Sequence, residues 1–275
     1  MDGGTIKKSV REHYATIARS GSSCCGPSPG GCCAPGGAQG ISLAVGYSEE
    51  EMAAVPDGAN LGLGCGNPLA HAELKKGDAV VDLGSGAGFD CFLAARKVGP
   101  SGRVIGVDMT PEMIERARAN AARAGLANVE FRLGEIEHLP VADASADVVI
   151  SNCVINLSPD KPEVFREALR VLKRGGRLMV SDLVLLRPLP ESVRASVEAY
   201  AGCISGAMLK EDYLRVMAEA GFREVELLGE APYSIGFSNP DTSELAALAE
   251  GLPAEDVAAA AGSVVSVKVR AVKGT

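Results

Sequence analysis

The reading of this chain turns on AVVDL (79–83), running into GSGAG (84–88) and then FDCFLAARKV (89–98). A short apolar run ended by glycines reads as a buried strand. The ten residues that follow read as a helix. Glycines at a strand-to-helix turn tolerate positive φ and let the backbone approach a ligand closely. The next strand, RVIGVD (103–108), ends on an acid, Asp108, 24 residues after Gly84. An acid in that place suits a ribose hydroxyl pair. Together these features predict a nucleoside-type cofactor.

The alternation continues outward from this unit. Pro111 opens PEMIERARANAARA, and Gly125 closes it. VEFRL (129–133), ADVVISN (146–152) and GRLMVSDLV (176–184) read as strands, with a helix over PEVFREALRVLKR (162–174). Two further helical stretches are expected at 190–200 and 211–220, and a last strand at 263–272. Strands and helices alternating at these lengths predict an α/β domain with a doubly wound, mostly parallel sheet.

Composition sets the remaining bounds. The 275 residues suffice for one large domain, 47% of them are apolar, and 27 basic against 35 acidic residues leave a net charge of -8. That balance argues against nucleic acid or an anionic membrane as partner. No apolar run approaches the roughly 18 residues of a membrane span. The N-terminal MDGGTIKKSVREHYATIA carries no apolar leader, so a cytoplasmic location with mostly reduced cysteines is expected. Residues 20–40, almost entirely Gly, Ser, Pro and Cys, read as a flexible tether. The expected organisation is an N-terminal helix and tether over 1–60, a cofactor-binding domain over 61–230, and a C-terminal extension with a final strand over 231–275.

Eight cysteines call for an account. Cys153 ends the fourth strand in SNCVINL, at the sheet edge where doubly wound folds bind ligands. Cys65 stands in GLGCGNP and Cys203 in AGCISGA, so the three lie 88 and 50 residues apart with no CxxC spacing between them. A structural zinc site is therefore disfavoured. Each is either a small buried apolar residue or one of three thiols converging on a soft centre. Cys91, inside an apolar helix, reads as core.

The motif GxGxG differs from the GxGxxG of dinucleotide proteins, and DLGSGAG with VIGVDMT and GEIEHLP (134–140) resembles the class I S-adenosylmethionine-dependent methyltransferases, with their Rossmann-like fold. That resemblance implies that Asp82, Gly84, Ser85, Gly86 and Gly88 line the methionine and ribose portion of the cofactor. It implies further that Asp108 holds the ribose and Met109 packs on the adenine, with Glu135 and Ile136 near the adenine edge. Tyr14 and Tyr47 resemble positions that cover the cofactor; a packing role is the alternative.

GCG, SNCVINL, AGCISGA and VIGVDMTPEM, between about Tyr47 and Gly221, resemble the arsenite methyltransferase family. The resemblance implies Cys65, Cys153 and Cys203 as catalytic ligands of trivalent arsenic. It implies arsenite or methylarsenite, as thiol adducts, for substrate, and thioredoxin or glutathione as reductant. A further family cysteine, engaged in a disulfide during turnover, has its counterpart among Cys24, Cys25, Cys32 and Cys33. These four admit three readings: capture of arsenite, relay of a disulfide, or a variable tail without effect. Two rival readings of the whole chain are a methyltransferase for an organic acceptor and a metalloid-binding protein without catalysis.

Overall fold

A computed structural model describes residues 2–20, 37–196, 199–200, 202–233 and 253–274. The cysteines at 24, 25, 32 and 33, and most of the expected tether, lie outside the described residues. Seven strands form one sheet: β1 (Ala79–Leu83), β2 (Arg103–Asp108), β3 (Val129–Leu133), β4 (Ala146–Asn152), β5 (Leu172–Leu185), β6 (Phe222–Pro232) and β7 (Val264–Lys273). Their spatial order is β3-β2-β1-β4-β5-β7-β6. The first five run parallel, while β7 lies antiparallel to both β5 and β6.

The central strands are apolar because both their faces are covered. Alternation sends Val81, Val107 and Val149 into one core with Phe165 and Tyr213, and Val80, Val104 and Ile150 into the other with Phe92 and Met179. The register Val81↔Ile105 and Val81↔Val149 keeps these side chains level across β2, β1 and β4. Strand order reverses between β1 and β4. The loops leaving their carboxyl ends therefore turn to opposite faces of the sheet and open a crevice.

Four strands and the helix Phe89–Val98 match the predicted spans residue for residue. Gly125, in the left-handed conformation at φ 62°, closes the helix Pro111–Ala124 as expected. Elsewhere the outcome differs. The helix Lys161–Val171 stops three residues early, because the chain goes extended at Leu172 to begin β5 against Ala146. The helix expected at 190–200 is interrupted: Glu191–Arg194 forms one turn, residues 195–196 leave the helix, and residues 199–200 are helical again. β6 was not foreseen at all. It is an edge strand whose side chains are mostly exposed, so it lacks the apolar alternation that betrays a strand. The division at 231 falls within β6, and β7 sits inside the sheet between β5 and β6.

The N-terminal helix Gly3–Ser20 lies across the carboxyl edge of the sheet. Lys7 pairs with Glu135 at 2.7 Å and Glu137 at 3.1 Å, and Arg116 donates to the Ala18 carbonyl at 2.9 Å. Its buried face carries Val10, Ala15, Ile17 and Ala18. Among the described residues no helix is long and apolar enough to cross a membrane.

Candidate active site

The crevice at the β1–β4 switch point is a cleft roofed by the N-terminal helix. Gly84 at φ 67° and Gly86 at φ 52° turn the chain out of β1. They serve different ends. A Cβ on Gly84 would lie 2.4 Å from Val154, so this glycine lets the β1 and β4 loops close on one another. A Cβ on Gly86 would meet no protein atom within 4 Å, and it borders the cleft. Gly88 is set back from the opening, against the rings of Phe92 and Phe131.

Asp108 shapes the same loop from β2. Its carboxylate accepts from the Gly86 amide at 3.0 Å and the Thr110 amide at 2.8 Å. Met109 and Ile136 form apolar patches of the cleft wall. Glu135 does not border the cleft as the resemblance implied; it turns to Lys7 and to Arg11 at 3.8 Å, and the Lys7 hydrogen bond holds its carboxyl below the usual range. Glu137 takes the wall position, accepting from the Ser158 hydroxyl at 2.6 Å.

Carboxylates dominate the polar lining. Asp82, Asp90 and Asp108 all face the cleft. Burial raises all three, Asp82 also through the neighbouring charge of Asp90, while Asp90 is pushed up to about 6. Tyr47 donates to Asp90 at 2.6 Å, and Cys91 to Asp82 at 3.1 Å, which makes Cys91 a buried core residue with a polar tie. Two more buried polar atoms bordering the cleft, Ser85 Oγ and Asn60 Nδ2, have no hydrogen-bond partner among the described residues.

A second, drier cluster lies against this cleft. Cys65, Cys153 and Cys203 are buried together among Leu157, Leu183 and Ile204. Cys153 follows β4 directly and donates its amide to the Ser181 carbonyl at 2.8 Å. It alone of the three also lines the cleft, beside Val154 and Leu157. Cys65 points its Sγ at the Ser181 carbonyl, 3.7 Å away. Cys203 points its Sγ at the Cys153 carbonyl, 2.9 Å away. Cys65 Sγ, Cys153 Sγ and a carboxylate oxygen of Asp182 all lie within 4.8 Å of one another.

Two of these cysteines pay for their placement with strain. Cys153 at φ 58° and Cys203 at φ 63° adopt the left-handed conformation, which costs a side-chain-bearing residue ~1–2 kcal/mol. Such strain persists where the surrounding structure over-determines it and clusters at working sites. Burial raises the Cys65 thiol, while the hydrogen bond with Cys153 and burial raise Cys203 well above the ordinary value. In the free protein these sulfurs are thiols, not thiolates.

Asn152, the last residue of β4, ties the two regions together. Its side-chain oxygen accepts from the Cys65 amide at 3.1 Å, while its Nδ2 faces Tyr47 Oη at 2.9 Å, Gly66 O at 2.8 Å and Asp90 at 3.1 Å. Sequence reasoning missed this residue, as it missed Asp182, which accepts from Asn156 at 2.9 Å, the Leu183 amide at 2.9 Å and Tyr213 at 3.0 Å. The one available cue was an acid in the middle of the apolar run LMVSDLVL. Tyr14 and Tyr47 both reach the cleft, and Tyr14 also packs against the buried cluster that contains Cys203.

Comparison with known proteins supplies the context. A family model described as a methyltransferase domain matches residues 74–221. An arsenite methyltransferase of Halobacterium salinarum is 53% identical over 227 residues, covering 80% of this chain and 58% of the relative. The human arsenite methyltransferase is 39% identical over 168 residues, covering 58% of this chain and 44% of its own. Among solved structures, an arsenic (III) S-adenosylmethionine methyltransferase from Chlamydomonas reinhardtii superimposes with a TM-score of 0.62 at 35% identity, covering 88% of this chain and 75% of that one. The chain spans about half the length of the curated relatives it matches. A glycine loop and acid at the switch point, with three thiols beside them, thus accompany the family match: the chain belongs to the methyltransferase-domain family and, within it, to the arsenite methyltransferases.

Proposed function

We propose that this protein transfers methyl groups from S-adenosylmethionine to trivalent arsenic held by Cys65, Cys153 and Cys203. The observation that carries the reading is the place of Cys153, which is buried in one cluster with Cys65 and Cys203 and also forms part of the cleft wall.

The cleft suits the methyl donor. Four carboxylates, Asp82, Asp90, Asp108 and Glu137, against the single lining cation Lys7 favour a ligand bearing positive charge, such as a sulfonium and an ammonium group. The orphaned Ser85 Oγ and Asn60 Nδ2 offer hydrogen bonds to a polar ligand, and open space beside Gly86 admits it against the backbone. When bound, S-adenosylmethionine supplies an activated methyl group on sulfur. The chain's own residues then divide the work. Asp82, Gly84, Ser85 and Gly86 face the methionine and ribose portion, Asp108 holds the ribose hydroxyls, and Met109 and Ile136 pack on the adenine. Gly88 supports the loop from behind, and Glu135 holds the N-terminal helix over the cleft through Lys7.

The cysteines hold the acceptor. Three thiols replace three hydroxides, or three small-molecule thiols, on arsenic; each thiol proton leaves with the displaced group as water or thiol. High thiol pKa values are therefore no obstacle to loading. Trivalent arsenic prefers sulfur ligands and keeps a lone pair opposite them. That pair carries no proton, so the site needs no general base. Its task is alignment, and proximity supplies most of the acceleration. Each transfer leaves arsenic pentavalent, so a thioredoxin dithiol, or two glutathione thiols, restores the trivalent state and leaves as a disulfide. Free cysteines throughout the described residues suit a reducing, cytoplasmic setting. The catalytic unit runs from about residue 61 to 230 and is completed by β7.

Incubation with arsenite, methyl donor and thiol, followed by separation of arsenic species, tests the proposal. Methylated arsenic with matching S-adenosylhomocysteine is expected. Donor binding without methylated arsenic would refute it.

A further inference from the structure

Asp182 has no task in arsenic methylation, yet it lies at the heart of the acceptor site. Arsenic needs three sulfurs and no oxygen, and the tight triple among the described residues is Cys65, Cys153 and Asp182. All three are buried, and Cys203 adjoins through Cys153. An ionised carboxylate offers about four lone-pair positions. Asn156, the Leu183 amide and Tyr213 occupy three of those on Asp182, the first two on Oδ1 and the third on Oδ2. One position on Oδ2 remains.

We propose that Cys65, Cys153 and Asp182 form a site for a thiophilic divalent cation, Zn2+ or Cd2+, whose occupancy excludes arsenic. Zinc is borderline-soft and takes thiolate and carboxylate ligands together in a tetrahedron, with bonds of about 2.3 Å to sulfur and about 2.1 Å to oxygen. Ligand atoms in such a tetrahedron stand roughly 3.6–3.8 Å apart. The observed triple, within 4.8 Å, needs a contraction of about 1 Å or less to reach that separation. On binding, the thiol protons pass to solvent, as they do when a metal displaces them. Arsenic leaves Asp182 outside its ligand shell; Zn2+ or Cd2+ takes it in. The inference uses residues of the proposed acceptor site but does not rest on methyl transfer, since cation binding is measured without donor or turnover.

The test uses the full chain with Cys24, Cys25, Cys32 and Cys33 changed to Ser, titrated anaerobically with CdCl2 alone and followed by thiolate-to-cadmium absorption in the ultraviolet. One Cd2+ per chain, displaced competitively by arsenite, is expected. Outer-shell changes at metal sites already cost about 10–100-fold in affinity. Asp182→Asn should therefore weaken Cd2+ by about tenfold or more relative to arsenite, and Asp182→Cys should strengthen it. X-ray absorption of the cadmium-loaded unsubstituted Asp182 protein should give a mixed sulfur and oxygen shell, which keeps the proposal testable if a variant fails to fold. A shell of sulfur alone or oxygen alone, simultaneous binding of both ions, or a Cd2+-to-arsenite affinity ratio unmoved by both substitutions would overturn it. Loss of methylation with this pattern intact would count against the proposed function and not against the cation site.

Discussion

The donor cleft and the thiol cluster share a wall but are built in opposite ways. The cleft comes largely from one continuous strand–loop–helix unit, with a glycine loop and the acid of the adjoining strand. It is polar and rich in carboxylates. The cluster is assembled from three distant segments, is buried among aliphatic side chains, and holds two of its cysteines in a disfavoured backbone conformation. The contrast teaches that a glycine-loop cleft can be built from local geometry, whereas the proposed acceptor site has to be imposed by the whole fold. Asn152 is the joint between the two.

The sharpest way to break this division is to remove a residue that belongs to one region. Cys153→Ser should lower arsenic methylation by about 100-fold or more, since misplacement of a reactant costs at least that much, while donor affinity measured by calorimetry changes little. Equal loss of both would merge the two regions into one. Asp108→Ala should act in reverse: donor affinity falls by about 10–100-fold, as charge-assisted hydrogen bonds vanish, with arsenite binding retained.

The electrostatic difference gives a pH test. Asp90 ionises at about 6, and it must lose its proton before it can oppose a positive ligand. Donor affinity should therefore rise between pH 5 and 7 by up to about tenfold and level off above. Asp90→Asn should flatten the rise. A rise that persists in this variant would assign it elsewhere.

The smallest effect concerns strain. At Cys203, with φ 63°, glycine should be more stable than alanine by ~1 kcal/mol. At Cys91, inside the helix Phe89–Val98, the order should reverse by a similar ~1 kcal/mol. Thermal unfolding of the four variants checks both signs at once.

The same contrast explains what could be read from the chain. β1, β2, β3 and β4 are short, buried and locally punctuated, so apolar runs between glycines and polar turns located them. β6 escaped because its exposed side chains at the sheet edge leave no pattern. Gly84, Gly86 and Asp108 could be placed at the cleft from the sequence since a strand–loop–helix unit and the adjoining strand end position them locally. Asp182, Asn152 and Glu137 were not legible. Each looks like an ordinary polar residue until the fold buries it beside a thiol, a carboxylate or the cleft. Glu135 shows the converse, a motif position that the N-terminal helix, through Lys7, draws away from the cleft.

X-ray absorption at the arsenic edge, on full chain loaded with one arsenite per molecule and lacking the cysteines at 24, 25, 32 and 33, examines the acceptor directly. Three sulfur neighbours around arsenic are expected, falling to two with a new oxygen in Cys153→Ser. An arsenic shell unchanged by that substitution would place the metalloid elsewhere and contradict the sulfur site on which the account stands.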